Sequence, residues 1–189
     1  MKWLGEKKWM IGCIAMAFVL LILTANYVVI NNQKNELIEE TIKNTDAEWI
    51  QLYRLSETID RYYIKNEFQD SEKVLWYVNQ TCYHFQMTGR PIELNVNMSN
   101  FLILAYDPLF KDLALEKGPL NKEKASELFK EMNDELMVIS RGIIDMDDTE
   151  KEKLLFDPTS SEFNEVNAQI KSVANKYTKL VDDYFKNNL

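Results

Sequence analysis

The chain of 189 residues contains one histidine, two cysteines, five glycines and four prolines. Each scarcity closes off a class of protein. One His and two Cys cannot furnish a zinc site of the usual His/Cys kind, a disulfide scaffold, or the paired Glu-x-x-His motifs of a di-iron bundle. β-Sandwiches, P-loop folds and dinucleotide folds consume more glycine and proline than is present. Positive charge is also short, with 22 basic side chains against 30 acidic ones. The net charge of −8 argues against a nucleic-acid partner, because such affinity comes mainly from cations placed on phosphates. What remains is an all-α protein.

Apolar side chains are concentrated near the amino end. No charged residue occurs from Trp9 to Gln33, and Met10 to Ile30 is almost wholly apolar. As a helix these 21 residues span about 31 Å, close to the hydrocarbon thickness of a bilayer. Thr24 and Asn26 are the polar exceptions, while Trp3, Trp9 and Tyr27 fall at headgroup depth. The segment 10–30 therefore reads as a single transmembrane helix, a signal-anchor with the lipid bilayer as its partner. A cleaved signal peptide shares the Lys2, Lys7 and Lys8 start and a cut after Leu23-Thr24-Ala25, but apolar Val28, Val29 and Ile30 follow where a mature chain turns polar. Met10-Ile11-Gly12-Cys13 looks like a lipobox, yet the apolar run lies after Cys13 instead of before it. Lys2, Lys7 and Lys8 precede the span, whereas Lys34 is followed by Glu36, Glu39 and Glu40. The positive-inside rule then puts residues 1–9 in the cytoplasm as a short tail and residues 31–189 outside the cell membrane. The tail carries +2, which leaves −10 on the extracytoplasmic part.

That part reads as one helical-bundle domain of about four to five helices. Between Cys13 and Thr88 there is neither Gly nor Pro, so the membrane helix is expected to run on. Ile38, Ile42, Thr45, Trp49, Leu52, Ser56, Ile59 and Tyr63 recur at alternating spacings of four and three, a coiled-coil-like seam. A second, antiparallel helix is expected to start at Asp70 or Ser71 and to end at Gly89-Arg90-Pro91, with Val74, Leu75, Val78, Cys82 and Phe85 on its apolar face. Near 92–98, Ile92, Leu94, Val96 and Met98 alternate with Glu93, Asn95, Asn97 and Ser99. This two-residue period predicts an irregular extended segment, a connector or weak helix, the sharper alternative being an edge completed by a partner. Phe101 to Ala105 reads as core filling. Asp107-Pro108 is expected to open a short helix closed by Gly118-Pro119, and Asn121 to cap the next, with Ala125, Phe129, Met132, Leu136, Ile139 and Ile143 inside. Capping boxes are expected at Thr149 with Glu152 and at Thr159 with Glu162. The last helix carries a seam of Phe163, Val166, Ile170, Val173, Tyr177, Leu180 and Tyr184.

Few residues suggest chemistry. Cys82 lies four residues after Val78 and reads as a buried thiol, and Cys13 is out of its reach inside the bilayer. His84 stands two residues from Cys82, a spacing that turns the two side chains to different helix faces. Asp145, Asp147, Asp148 and Glu150 form an acidic turn of the kind hard cations favour, but EF-hand spacing is absent and helix capping explains them. An enzyme would need carboxylates such as Glu57 or Asp60 gathered in a cleft. No catalytic, cofactor or metal residues are therefore assigned. The first two helices are rich in aromatics, Trp49, Trp76, Tyr53, Tyr62, Tyr63, Tyr77 and Tyr83, more than one seam can bury. Tyr53, Tyr62, Trp76 and Tyr77 are the candidate partner or ligand surface. Asn79-Gln80-Thr81 and Asn97-Met98-Ser99 match the glycosylation pattern, but the excess of Lys over Arg and the many Asn and Ile suggest an AT-rich bacterial genome, where these are idle. The expectation is a non-enzymatic, membrane-anchored binding or scaffolding protein acting on another protein of a bacterial envelope. The alternative is a small-ligand sensor or carrier with its pocket inside the bundle.

Overall fold

A computed structural model describes residues 2–88, 92–115 and 121–187. Among these the chain is all-helical, 90% helix with no strand. It divides into two compact units, Met1–Thr41 and Ile42–Leu189. The expected breaks at Gly89-Arg90-Pro91 and Gly118-Pro119 lie outside the described residues.

In the first unit the chain is helical as part of α1 (Lys2–Ile59), and every side chain from Trp9 to Leu37 is exposed. This helix is long and apolar enough to cross a membrane. Thr24 needs no external partner, because its hydroxyl donates to the Leu20 carbonyl at 2.8 Å within its own helix.

In the second unit the later turns of α1 bury Ile42, Thr45, Trp49, Leu52, Leu55, Ser56 and Ile59. The weak seam positions are tolerated for local reasons. Ser56 donates to the Tyr53 carbonyl at 2.8 Å, so its hydroxyl is satisfied in place. A π-helical turn, Asp60–Ile64, follows α1, and the chain returns through α2 (Glu72–Thr88), whose Phe85 meets the edge of Trp49 at 5.0 Å between ring centres. The two helices are antiparallel neighbours, as their short connection predicts.

The segment near 92–98 is corrected by the structure. It is α3 (Ile92–Phe101), running without a break through a π-helical turn, Leu102–Tyr106, into α4 (Asp107–Ala114). Leu94, Met98, Phe101, Leu102 and Ala105 face the core, whereas Val96 is exposed and Asn95 and Ser99 are buried. The two-residue alternation was a coincidence of seven residues, and the spacing of four, three and one that extends through Ala105 is the helical period. Asp107-Pro108 likewise opens no new helix. A proline inside a helix lacks its N–H and crowds the carbonyl four residues back, and the wider π turn just before Pro108 accommodates it.

α5 (Lys122–Ile144) begins where expected, with Asn121 accepting from the Lys124 N–H at 3.0 Å, and buries all six predicted seam residues. The next two caps are shifted. α6 (Asp148–Phe156) is opened by a capping box of Asp147 and Glu150, not Thr149 and Glu152. α7 (Ser161–Asn187) is capped by Ser160, whose hydroxyl oxygen accepts from the Phe163 N–H at 3.1 Å. Thr159 is held by Asp157, and Glu162 accepts instead from Lys153 of α6 at 2.7 Å. The α7 seam is buried at every predicted position but Leu180, which is 39% exposed while Val181 turns inward in its place.

The helices close on an aromatic centre. Phe129 of α5 meets Tyr106, Phe110 and Phe68 at 4.7, 5.5 and 5.6 Å, and Phe101 meets Tyr177 of α7 at 6.0 Å. Within this apolar surround the Asn133 side chain accepts from the Tyr106 hydroxyl at 2.6 Å and donates to the Ser56 carbonyl at 2.9 Å. α3 is fastened to α7 by a polar clamp: Asn97 donates to Asn167, and Asn167 donates to Glu93, each at 2.9 Å. Lys151 of α6, itself buried, reaches Asp46 of α1 at 2.9 Å.

Two predictions follow from these contacts. Asn133→Ala removes the bond to the Ser56 carbonyl and orphans the Tyr106 hydroxyl, and should lower the unfolding free energy by about 2–4 kcal/mol, against about 1–2 kcal/mol for Tyr106→Phe. Urea titration of the full chain in detergent, followed by circular dichroism, measures both. The Lys153 ammonium, assisted by backbone and Ser161 donors, holds the Glu162 carboxyl down to about 2 from an ordinary 4.5. A depressed folded value means that its contribution is complete above pH 4.5 and lost as pH falls toward 2. Acid unfolding should accordingly be less steep over that window in Glu162→Gln than in the parent.

Candidate functional site

α2 has two unlike faces, one apolar and buried, the other aromatic and exposed. Val78, Cys82 and Phe85 follow one another at four and three and are buried. Trp76, Gln80 and Tyr83 have the same spacing and point the other way. Trp76 is 72% exposed, and Tyr77 and Tyr83 are each 45% exposed. His84, seven residues after Tyr77, lies on the same outward side and is exposed. An aromatic face of this kind is informative, since scattered apolar residues are ordinary on a surface and a contiguous set is not.

Of the four predicted residues, Trp76 and Tyr77 stand together on this face. Tyr53 does not join them: it is half-buried, with the Arg141 guanidinium of α5 5.6 Å from its ring centre. Tyr62 lies on the π turn Asp60–Ile64 and is 55% exposed. Tyr83 is the member that the choice of four left out. Its signal was present in the sequence as the seventh residue after Trp76.

Beneath the face, Cys82 is fully buried. Burial, reinforced by the nearby Asp107 charge, raises its thiol well above the ordinary range, so it stays protonated and unreactive. Asp107 is itself buried; one carboxylate oxygen accepts from Lys111 at 2.5 Å and from Asn79 at 3.3 Å, and the other has no hydrogen-bond partner among the described residues. Asn79 and Asn97 are thus both engaged in side-chain bonds on helices. Cys82 is buried and His84 exposed, so the two side chains lie on different faces of α2. Glu57 pairs with Arg61 at 3.1 Å and Asp60 with Lys65 at 3.0 Å, so each carboxylate is engaged in a separate ion pair. In the acidic turn, Asp145 accepts from Arg141 at 2.7 Å, and Asp147 and Glu150 cap α6. Among the described residues no group of three His, Cys, Asp or Glu side chains is placed to hold a metal.

A separate groove of about 490 Å³ lies between the α1–α2 connection and the first turns of α5. Ile64 and Phe68 give it an apolar floor; Glu67, Lys122, Glu123, Glu127 and Lys130 surround it with charge, and Ser126 adds a hydroxyl. Two of its lining residues are strained: Glu67 and Phe68 have φ of 53° and 61°, the left-handed region that favours glycine. None of Tyr53, Tyr62, Trp76 or Tyr77 lines it.

No protein-family model, curated protein or solved structure matches the chain.

Two measurements test these assignments. In Cys13→Ser, Cys82 should resist maleimide in the folded protein and react fully in denaturant; labelling in the fold would show that α2 opens. Trp76→Ala should change the unfolding free energy by less than about 0.5 kcal/mol, as expected for a side chain outside the core.

Proposed function

We propose that this is a single-pass, membrane-anchored, non-enzymatic binding or scaffolding protein of a bacterial envelope. Residues 10–30 cross the cell membrane, residues 1–9 face the cytoplasm, and residues 31–189 act outside it on another envelope protein. The observation that carries this reading is a pair of apolar surfaces left without internal use. One is the first unit, where the side chains from Trp9 to Leu37 are exposed, an arrangement costly in water and favourable in lipid. The other is the outward face of α2, where Trp76, Tyr77 and Tyr83 present large rigid side chains of the type that dominates protein interfaces.

The charge distribution supports a protein partner over a lipid or polyanion surface for the second face. With −10 on residues 31–189, the domain is repelled by anionic lipid headgroups and by nucleic acid. A small-ligand carrier is the second reading, and the observation that favours it is the groove beside Phe68, which opens at the surface.

The test is photocrosslinking in intact cells from benzoylphenylalanine placed at Trp76 or Tyr83, with Lys171 of α7 as the control position. The expected result is a discrete adduct with an envelope protein from the first two positions and none from the third. Recovery of free monomer alone from both would overturn the reading. A phosphatase fused after Leu189 should be active, as an extracytoplasmic carboxyl end requires, and an inactive one would reverse the assigned orientation.

A further inference from the structure

We infer that the groove between the α1–α2 connection and α5 is a binding site for an apolar amino acid or short peptide with free ends. Three properties of the site converge on that chemistry. The floor is apolar and rigid, because Phe68 is locked edge-on against Phe110 and Phe129 at 6.3 and 5.6 Å. The rim carries charges of both signs, Glu67, Glu123 and Glu127 against Lys122 and Lys130, and none of the five forms an ion pair or a side-chain hydrogen bond with another described residue. Two of the lining residues, Glu67 and Phe68, are non-glycine residues in left-handed conformations, a strain that clusters at functional sites.

The ligand class follows by elimination. A simple anion meets three carboxylates, and a simple cation meets two ammonium groups. A wholly apolar ligand would desolvate five charges without replacing their partners. A zwitterion with an apolar side chain meets every requirement: its ammonium pairs with the glutamates, its carboxylate with Lys122, Lys130 and the Ser126 hydroxyl, and its side chain covers Ile64 and Phe68. The volume of about 490 Å³ lies within the range of small-molecule pockets, roughly 300–1,000 Å³.

Isothermal titration calorimetry of the full chain in lipid nanodiscs tests the site. The probes are L-phenylalanine, the dipeptide Leu-Phe, and Leu-Phe blocked as its N-acetyl amide. Saturable binding of phenylalanine or Leu-Phe is expected, with the blocked compound weaker by about tenfold or more. Glu127→Ala and Lys130→Ala lie on exposed α5 positions away from the core, and each should weaken the free-ended probe by about tenfold while leaving the melting midpoint unchanged. Ser126→Trp, which fills the groove, should abolish binding. Absence of saturable heat with both free-ended probes, equal binding of the blocked dipeptide, or indifference to all three substitutions would overturn the inference. The outcome is independent of the α2 face, whose crosslinks do not involve this groove.

Discussion

The bundle depends on one buried amide. Asn133 sits where water is excluded, and its two polar atoms answer a carbonyl of α1 and a hydroxyl carried by the helical run from 92 to 114. Such a group is costly unless fully bonded, so each of the three segments is held at the register in which both bonds form. The aromatic rings around it then have one arrangement: Tyr106 is delivered by the π turn that Pro108 requires, and Phe129 lies one helical turn before Asn133 on the same helix. Burial raises the Tyr106 phenol well above its ordinary range, so it remains a donor throughout the neutral range.

The same centre explains the strained connection after α1. Phe68 adopts a backbone conformation disfavoured for a bulky residue, yet its ring is buried among Phe110 and Phe129, and its N–H donates to the Tyr63 carbonyl at 2.7 Å. The apolar burial and that bond offset a cost of about 1–3 kcal/mol. A consequence is that the chain leaves a hollow between this connection and α5. Inward demands also determine what α2 shows outward. With Val78, Cys82 and Phe85 committed to the core, Trp76, Tyr77 and Tyr83 have no inward position left.

Much of this was legible from periodicity. The seams through Ile42–Ile59 and Ala125–Ile143 are buried as spaced, because both are long enough for several turns to agree. The strand-like alternation at 92–98 failed because a short window satisfies two periods and only the residues beyond it decide. The late step from Leu180 to Val181 reflects the drift of a 3.6-residue helix against a strict heptad. The caps moved because capping groups compete: Glu162 is drawn to Lys153, and Asp147 precedes Thr149 with an equally suitable carboxylate. At the candidate surface, Trp76 and Tyr77 were identifiable as aromatics in excess of one seam, while Tyr53 was miscounted because Arg141, 88 positions away in sequence, covers its ring.

By itself, then, the sequence determined the helical class, the acidic balance, the apolar amino-terminal helix and the inward faces of the long helices. These follow from local composition and spacing, which every residue carries whatever its surroundings. Tertiary structure alone decided that residues 92–114 form one helix with a π turn, that Asn133 bridges three segments, that Tyr53 is covered, and that a groove opens beside Phe68. The last three rest on contacts between residues distant in the chain, and no local pattern encodes which of them meet.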